Sequence, residues 1–246
     1  MYRKVFANKI FERKVVMVSG GCAGIGRALV LRFAQAGARL VILDLEQDAL
    51  DSLVQHLKDH HNVDALGFCC DVADVERVEH CVTQAIGQFG GIDVLINNAG
   101  VTHRSTFADT TLDVFRRIMD INYFGAVHCT HAALPSLIER HGQIIVMSSL
   151  SGFSPLLYRS AYNASKHALH GLFETLRCEL AGSGVGVMLV CPGFTATDLR
   201  KNALVGDASI SAQPPLAMGK VASAQEVAEA IYRAAVKRKR LLVMSN

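Results

Sequence analysis

Three residues in the middle of this sequence have the types and spacing for proton transfer: Ser149, Tyr162 and Lys166. The tyrosine and the lysine are four apart, so a helix over them puts phenol and ammonium on one face. A free tyrosine titrates near pH ~10, too high to act as a base at neutrality. A neighbouring cation favours phenolate and lowers such a value by roughly 1–3 units. Tyr-x-x-x-Lys alone also fits a helix that merely carries a tyrosine and a lysine on its surface, so the surrounding elements have to decide.

The apolar run at residues 143–148 reads as the strand that delivers Ser149, and residues 161–180 as the helix carrying Tyr162 and Lys166. Far upstream, residues 15–19 form a short apolar run of the kind expected for a buried parallel strand. It leads into Ser19-Gly20-Gly21-Cys22-Ala23-Gly24-Ile25-Gly26, and residues 27–36 follow with helical spacing at Leu29, Val30 and Phe33. Strand, glycine loop and helix are the layout that holds a pyrophosphate. Glycines let the backbone approach the phosphates, and the helix N-terminus offers unbonded N–H groups and a positive dipole end. The spacing Gly20-x-x-x-Gly24-x-Gly26 differs from the common G-x-G-x-x-G, and a tight turn is the plain alternative.

A second buried run, residues 40–43, ends at Asp44, 18 residues past Gly26. A carboxylate there accepts hydrogen bonds from the adenosine ribose hydroxyls of a dinucleotide and repels a 2′-phosphate. Asp44 therefore favours NAD, with NADP as the alternative; no Arg or Lys directly follows it. It could instead cap the helix that starts near Glu46.

A third strand at residues 65–70 ends in Asp71-Val72. Asp71 either bonds an adenine amino group or caps the helix at 74–89. Residues 93–96 form a fourth strand followed by Asn97-Asn98-Ala99-Gly100, either a cofactor-facing strand edge or only a turn. Residues 111–141 read as mostly helical, with Pro135 marking a kink or break. Asn122 within them needs a hydrogen-bond partner if it faces the core. A sixth strand, 185–190, precedes Cys191-Pro192-Gly193 and Thr195/Thr197. Residues 198–218 read as a mobile lid, 224–236 as the last helix and 241–244 as a final strand. No repeat or linker interrupts the chain, so residues 1–246 are expected to be one domain, with 1–10 as lead-in.

Of the 246 residues half are hydrophobic, enough for one large core. An excess of 25 basic over 22 acidic residues, net +3, does not mark a nucleic-acid binder. Seven cysteines without a C-x-x-C pair read as reduced thiols in an intracellular compartment, taken here as the cytoplasm. No apolar run approaches the about 18 residues a membrane span needs, and no signal peptide is visible. Tyr2, Val5, Phe6 and Ile10 could line a membrane-surface helix, but the segment is short and carries Glu12. His56, His60 and His61 have no Glu that would complete a zinc motif, so no metal is expected. Cys22 reads as a small loop filler rather than an activated thiol, and residues 237–240 as a solvated basic turn. No G-x-S-x-G elbow surrounds Ser149, since Met147 stands where the first glycine belongs, which argues against a serine hydrolase.

Taken together, the chain resembles the classical short-chain dehydrogenases/reductases from about Phe11 to Met244. The resemblance rests on Ser19-Gly20-x-x-x-Gly24-Ile25-Gly26, Asn97-Asn98-Ala99-Gly100, Asn122, Ser149, Tyr162-x-x-x-Lys166 and Pro192-Gly193, in this order. Ser19 stands where the family usually has Thr, keeping a hydroxyl. The chain stops at Asn246, where many members continue to finish a substrate pocket or interface.

The resemblance implies an α/β Rossmann fold with a doubly wound, seven-stranded parallel sheet, helices on both faces, and the cofactor at the carboxyl ends of the strands. It implies oxidoreduction between a secondary alcohol and a ketone by hydride transfer. Tyr162 would be the general acid/base, Lys166 would bind the nicotinamide ribose and lower the tyrosine pKa, Ser149 would hold the substrate oxygen, and Asn122 would anchor a water in a proton relay. Ser19, Gly20, Gly24, Ile25, Gly26, Asp44, Asp71, Val72, Asn98, Ala99, Gly100, Pro192, Gly193, Thr195 and Thr197 would join Tyr162 and Lys166 around the cofactor, Thr197 at the carboxamide with backbone from Phe194. The partner would be a small carbonyl or alcohol with an apolar body, met by residues 153–157 and the lid, and the assembly a homodimer or homotetramer through the long helices. A dinucleotide-sensing protein without catalysis is the competing function, and an intact Asn122, Ser149, Tyr162 and Lys166 argues against it.

Overall fold

Val15–Ser19 (β1) is buried at all five positions. A strand covered on both faces needs such an unbroken apolar run, and the sheet is parallel for the same reason. In this computed structural model, which describes residues 9–196, 203–210 and 221–244, six further strands join it: Arg39–Asp44 (β2), Ala65–Cys69 (β3), Val94–Asn97 (β4), Gln143–Met147 (β5), Gly186–Cys191 (β6) and Leu241–Val243 (β9). Thr195–Ala196 (β7) and Ala222–Ser223 (β8) form a separate short parallel pair. The large sheet runs β3-β2-β1-β4-β5-β6-β9, every pairing parallel.

The pleat sends alternate residues to opposite faces, so the sheet has two cores. Val16, Val18, Leu40, Ile42, Ile145 and Val190 face α1 (Gly24–Ala34), α2 (Gln47–His61) and α7 (Ala224–Val236), meeting Phe33, Leu50 and Ile231. Val15, Met17, Val41, Leu43, Ile144 and Leu189 face α3 (Val75–Phe89), α5 (Gly125–Glu139) and α6 (Ser160–Glu179), meeting Val82, Leu137 and Phe173. The Rossmann architecture is therefore present. The chain winds from β1 outward through β2 and β3, then returns to lay β4 on the other side of β1. That reversal opens a crevice at the carboxyl ends of β1 and β4, where ligands bind in such sheets.

Two local features differ from the sequence reading. The stretch 111–141 breaks not at Pro135 but earlier: α4 (Leu112–Met119) passes through a π-helical turn, Asp120–Phe124, into α5, which continues through Pro135. Pro135 and His131, four residues before it, are both exposed, so solvent can hydrate the carbonyl that proline leaves unbonded. The segment 203–210, read as part of a mobile lid, is tied to the loop after β4: Arg104 N donates to Leu204 O at 2.7 Å and Thr111 N to Gly206 O at 2.9 Å. The rest of that lid, Thr197 and most of the lead-in lie outside the described residues. Among the described residues no helix is long and apolar enough to cross a membrane, and no group of His, Cys, Asp and Glu is placed to hold a metal ion; His56 stacks on His60 instead.

Candidate active site

The glycine loop closes on the sheet edge so tightly that side chains are excluded. Gly20 sits at φ +64° with a Cβ position 3.0 Å from Ala99 Cα, and a Cβ on Gly26 would overlap Gly20 O and lie 2.5 Å from Asn98 Nδ2. Asn98 is the clasp: its Nδ2 donates to Ser19 O (2.9 Å) and Gly20 O (2.8 Å). The Ser19 hydroxyl accepts from the N–H groups of Asn98 and Ala99, both at 3.1 Å. α1 then begins at Gly24 with Ala23 as N-cap and no side-chain cap. Its first N–H groups face outward with the positive end of the helix dipole. This cradle suits a pyrophosphate.

Asp44 ends β2 beside the cradle. Its Oδ2 accepts from Cys22 N and its Oδ1 from Leu45 N, both at 2.8 Å. It does not cap α2, whose N-cap Glu46 makes no side-chain cap bond. Two carboxylate oxygens offer about four lone-pair sites, so two remain for ribose hydroxyls. Burial, followed by the charge of Asp44, pushes the Cys22 thiol up to about 12; it is a loop filler and no nucleophile.

From the cradle a cleft of about 620 Å³ runs along the carboxyl ends of the strands to Ser149, Tyr162 and Lys166. Gly20, Gly24, Ile25, Gly26, Asp44, Asn98, Ala99, Gly100, Pro192, Gly193 and Thr195 line it with them. Asp71 and Val72 do not. Asp71 Oδ1 accepts from Ala73 N (2.9 Å) in the turn before α3, which Asp74 caps by accepting from Arg77 N (3.0 Å). Val72 is 6% exposed, and its carbonyl is bonded to His128 Nδ1. The turn into α3 thus uses one Asp71 oxygen, and the core takes the Val72 side chain. Ser19 and Asn122 lie behind the wall as braces.

Asn122, 1% exposed in the π turn, is held by three hydrogen bonds to protein. Oδ1 accepts from Val101 N (2.7 Å), and Nδ2 donates to Val101 O and Ser165 Oγ (both 2.9 Å). Ser165 Oγ donates in turn to Tyr162 O at 2.8 Å. The extra residue of a π turn re-aims the helix face, and here it ties the loop after β4 to the first turn of α6. The side chain acts as a brace, and the water-anchoring role drawn from the resemblance finds one remaining Oδ1 lone pair.

On α6 Tyr162 is half-buried and hydrogen-bonded to Ser149, whose Oγ also accepts from Ser151 N (3.1 Å). Lys166 is 5% exposed, its Nζ donates to Met147 O at 2.7 Å, and it lies 5.7 Å from the Tyr162 ring centre. Burial pulls its pKa down to about 8. Among the protein's own groups the sign at Tyr162 is opposite to the sequence expectation. Burial raises the phenol, and the groups that lower it are Ser149 and Arg159 rather than Lys166. Desolvation outweighs a cation whose ammonium is turned to a carbonyl.

Sequence reasoning missed Arg159, Arg104 and Thr102, which line the same cleft as Pro155, Leu156 and Leu157. Phe153, expected at the substrate, packs edge-on against His170 (4.4 Å between ring centres) and is half exposed. Arg159 carried one signal: an arginine at a helix N-cap, where Ser, Thr, Asp and Asn are preferred.

A family model described as short chain dehydrogenase matches residues 14–206, and the chain belongs to that family; it is an oxidoreductase. The chain is 35% identical over 252 residues to Dehydrogenase/reductase SDR family member 7B of Mus musculus, covering 100% of this chain and 77% of that one. Against the Xenopus tropicalis protein of the same name it is 37% identical over 254 residues, covering 100% and 82%. In three dimensions it is similar to a short chain dehydrogenase/reductase from Burkholderia phymatum solved in complex with NAD, with TM-score 0.85, 27% identity, and 95% and 89% of the two chains covered. A short-chain dehydrogenase from Streptomyces avermitilis gives TM-score 0.83 at 30% identity, with 95% and 89% covered.

Proposed function

We propose that this oxidoreductase interconverts a secondary alcohol and a ketone with a nicotinamide dinucleotide, and that Tyr162 is its general acid/base. The observation that carries this reading is one cleft joining an uncapped helix N-terminus and glycine cradle to a Ser149–Tyr162 hydrogen bond backed by Lys166. A bound nicotinamide would supply or take the hydride. Reduction leaves negative charge on the substrate oxygen. Tyr162 gives that oxygen its proton, while Ser149 donates a hydrogen bond to it; oxidation runs the same transfers backward. Lys166 would hold the nicotinamide ribose, and Gly20, Gly24 and Gly26 the pyrophosphate. Asp44 supports NAD. NADP is the alternative, because exposed Arg27 lies close enough to act electrostatically on Cys22, the neighbour of Asp44. Val101, Pro155, Leu156 and Leu157 support a substrate with an apolar body and one reactive oxygen.

The test is Tyr162→Phe, assayed by nicotinamide absorbance across a panel of carbonyls and alcohols. Turnover should fall by about 10²–10⁴-fold, the range for loss of general acid–base help, while NAD titration stays near wild type. Full turnover in the variant would remove the acid/base role.

A further inference from the structure

We infer that His170 is a positioning residue for the proposed reaction: with Ser148 it latches the end of β5 to α6 and so sets where the Ser149 hydroxyl stands relative to Tyr162. The inference deepens the proposed mechanism and rests on Ser149 and Tyr162 having the roles given there. His170 follows Tyr162 and Lys166 at successive intervals of four on α6, so the three share one helix face. Its Nε2 lies 3.0 Å from Ser148 Oγ, and Ser148 Oγ lies 3.3 Å from Lys166 O. A serine hydroxyl has a single proton. Both contacts are hydrogen bonds when Ser148 donates to Lys166 O and accepts from the Nε2–H of His170. Cys191 Sγ, at the end of β6, is 3.6 Å from the same nitrogen, and Ser148 N donates to Val190 O at 2.8 Å. Serine, histidine and thiol thus join β5, β6 and α6 at one point.

The latch reaches Ser149 by two routes. One is the chain itself, since Ser149 is the next residue. The other is the turn Leu150–Gly152, which presses onto the latch: a Cβ on Gly152 would lie 2.6 Å from Ser148 Oγ and 2.7 Å from His170 Nε2. That turn is also tied to Ser149, with Gly152 N donating to Ser149 O at 2.9 Å and Ser151 N to Ser149 Oγ at 3.1 Å. On the helix side Lys166 Nζ donates to Met147 O at 2.7 Å. Strand end and helix are therefore bonded at two consecutive residues, Met147 and Ser148, immediately before Ser149.

Packing alone does not select a histidine here. Leu169 and Phe173, which α6 turns into the core, are apolar, and a leucine at 170 would fill comparable space without a donor. A neutral hydrogen bond adds only about 1 kcal/mol of net stability. It has direction, however, which apolar burial lacks. Ser148 is 4% exposed, so removing the ring leaves its hydroxyl the longer bond to Lys166 O. Burial holds the His170 pKa below the usual histidine value, so the ring is neutral at pH 7 and a single tautomer carries the bond.

The test separates position from folding. kcat and KM are measured by nicotinamide absorbance on the best substrate of the carbonyl and alcohol panel, with NAD affinity titrated alongside. His170→Leu should lower kcat by about 10–100-fold, up to the cost of a ~1 Å misplacement, while KM and NAD affinity stay within about twofold of wild type. His170→Gln, whose amide N–H can stand in for Nε2–H, should recover most of that loss. Ser148→Ala should match His170→Leu, and the double variant should be no slower than either single one. Undiminished kcat in His170→Leu, or an equal loss in His170→Gln, overturns the inference. If His170→Leu is unfolded, His170→Met is measured against the same criteria. A second reading needs no substrate. Nitrogen NMR of isotope-labelled histidine should show His170 as the Nε2–H tautomer, with its Nε2 resonance shifted in Ser148→Ala; the other tautomer, or a resonance indifferent to Ser148, also overturns the inference. These outcomes separate from those of the mechanism: a Tyr162→Phe enzyme that still turns over rejects the acid/base role, whatever the His170 ring shows.

Discussion

Replacing Asn122 by Ala should loosen α6 as well as the π turn that carries Asn122. The amide makes three hydrogen bonds, two to the Val101 backbone and one to Ser165 Oγ, in a site 1% exposed. Truncation strands the Val101 N–H, a loss of about 1–3 kcal/mol, and removes two further bonds worth about 1 kcal/mol each, together about 3–5 kcal/mol. For a chain of this length that is a fall in melting temperature of ~10 °C. Ser165 loses its donor and keeps only its own bond to Tyr162 O, so the first turn of α6 should also lose order and turnover should fall. Asn122→Asp keeps the acceptor for Val101 N and should be the milder variant unless its charge is left unpaired; Lys166 Nζ and Asn122 Oδ1 both lie within 4 Å of the Gly100 Cβ position, close enough to compensate it. Thermal and urea unfolding of the three proteins decide. A loss below about 1 kcal/mol in Asn122→Ala, with an unchanged urea slope, would mean that these bonds do not brace the site.

Gly26→Ala should weaken NAD binding about 5- to 150-fold, because a Cβ cannot coexist with Gly20 O and the Asn98 clasp without opening the loop, a strain of about 1–3 kcal/mol; isothermal titration with unchanged affinity would refute the close approach. Asp44→Ala should lower NAD affinity and bring the NAD/NADP ratio toward one, read by paired titrations, and a preserved preference would locate discrimination elsewhere. His103→Leu should flatten the acid limb of stability. In wild type the buried ring titrates near 4 against about 6.5 unfolded. The unfolded chain therefore binds the extra proton between those values, and stability falls as pH drops from about 6.5 to 4, by up to about 3 kcal/mol. Parallel slopes in both proteins over that window would exclude His103 as the source.

Much of the fold was legible because its signals are local. β1, β2 and β5 are apolar runs short enough to be strands, and α3 and α7 were placed from their own residues, although their caps, Asp74 and the Ser223/Glu226 box, emerged only in the structure. The glycine loop was legible because only glycine tolerates the approach of Gly20 to Ala99. Pro135 misled because the cost of a proline depends on whether the carbonyl it strands reaches water, which is a property of packing. Asp71 was left with two readings because a carboxylate before a helix serves a turn as well as a ligand, and only tertiary structure shows its Oδ1 bonded to Ala73 N. Arg159 was overlooked because its partners, Thr102 and His103, are more than fifty residues away in the chain.

The order and spacing of Gly20, Asp44, Asn98, Ser149, Tyr162 and Lys166 were determined by the sequence alone, and with them the class of chemistry. These are residue identities, and helix and strand periodicity places them at strand ends and on one helix face. Which way the phenol's acidity is pushed was decided by tertiary structure. That sign is the balance of burial against the Ser149 hydrogen bond and the Arg159 charge, and both burial and charge–charge distance are created only when distant segments close around the ring.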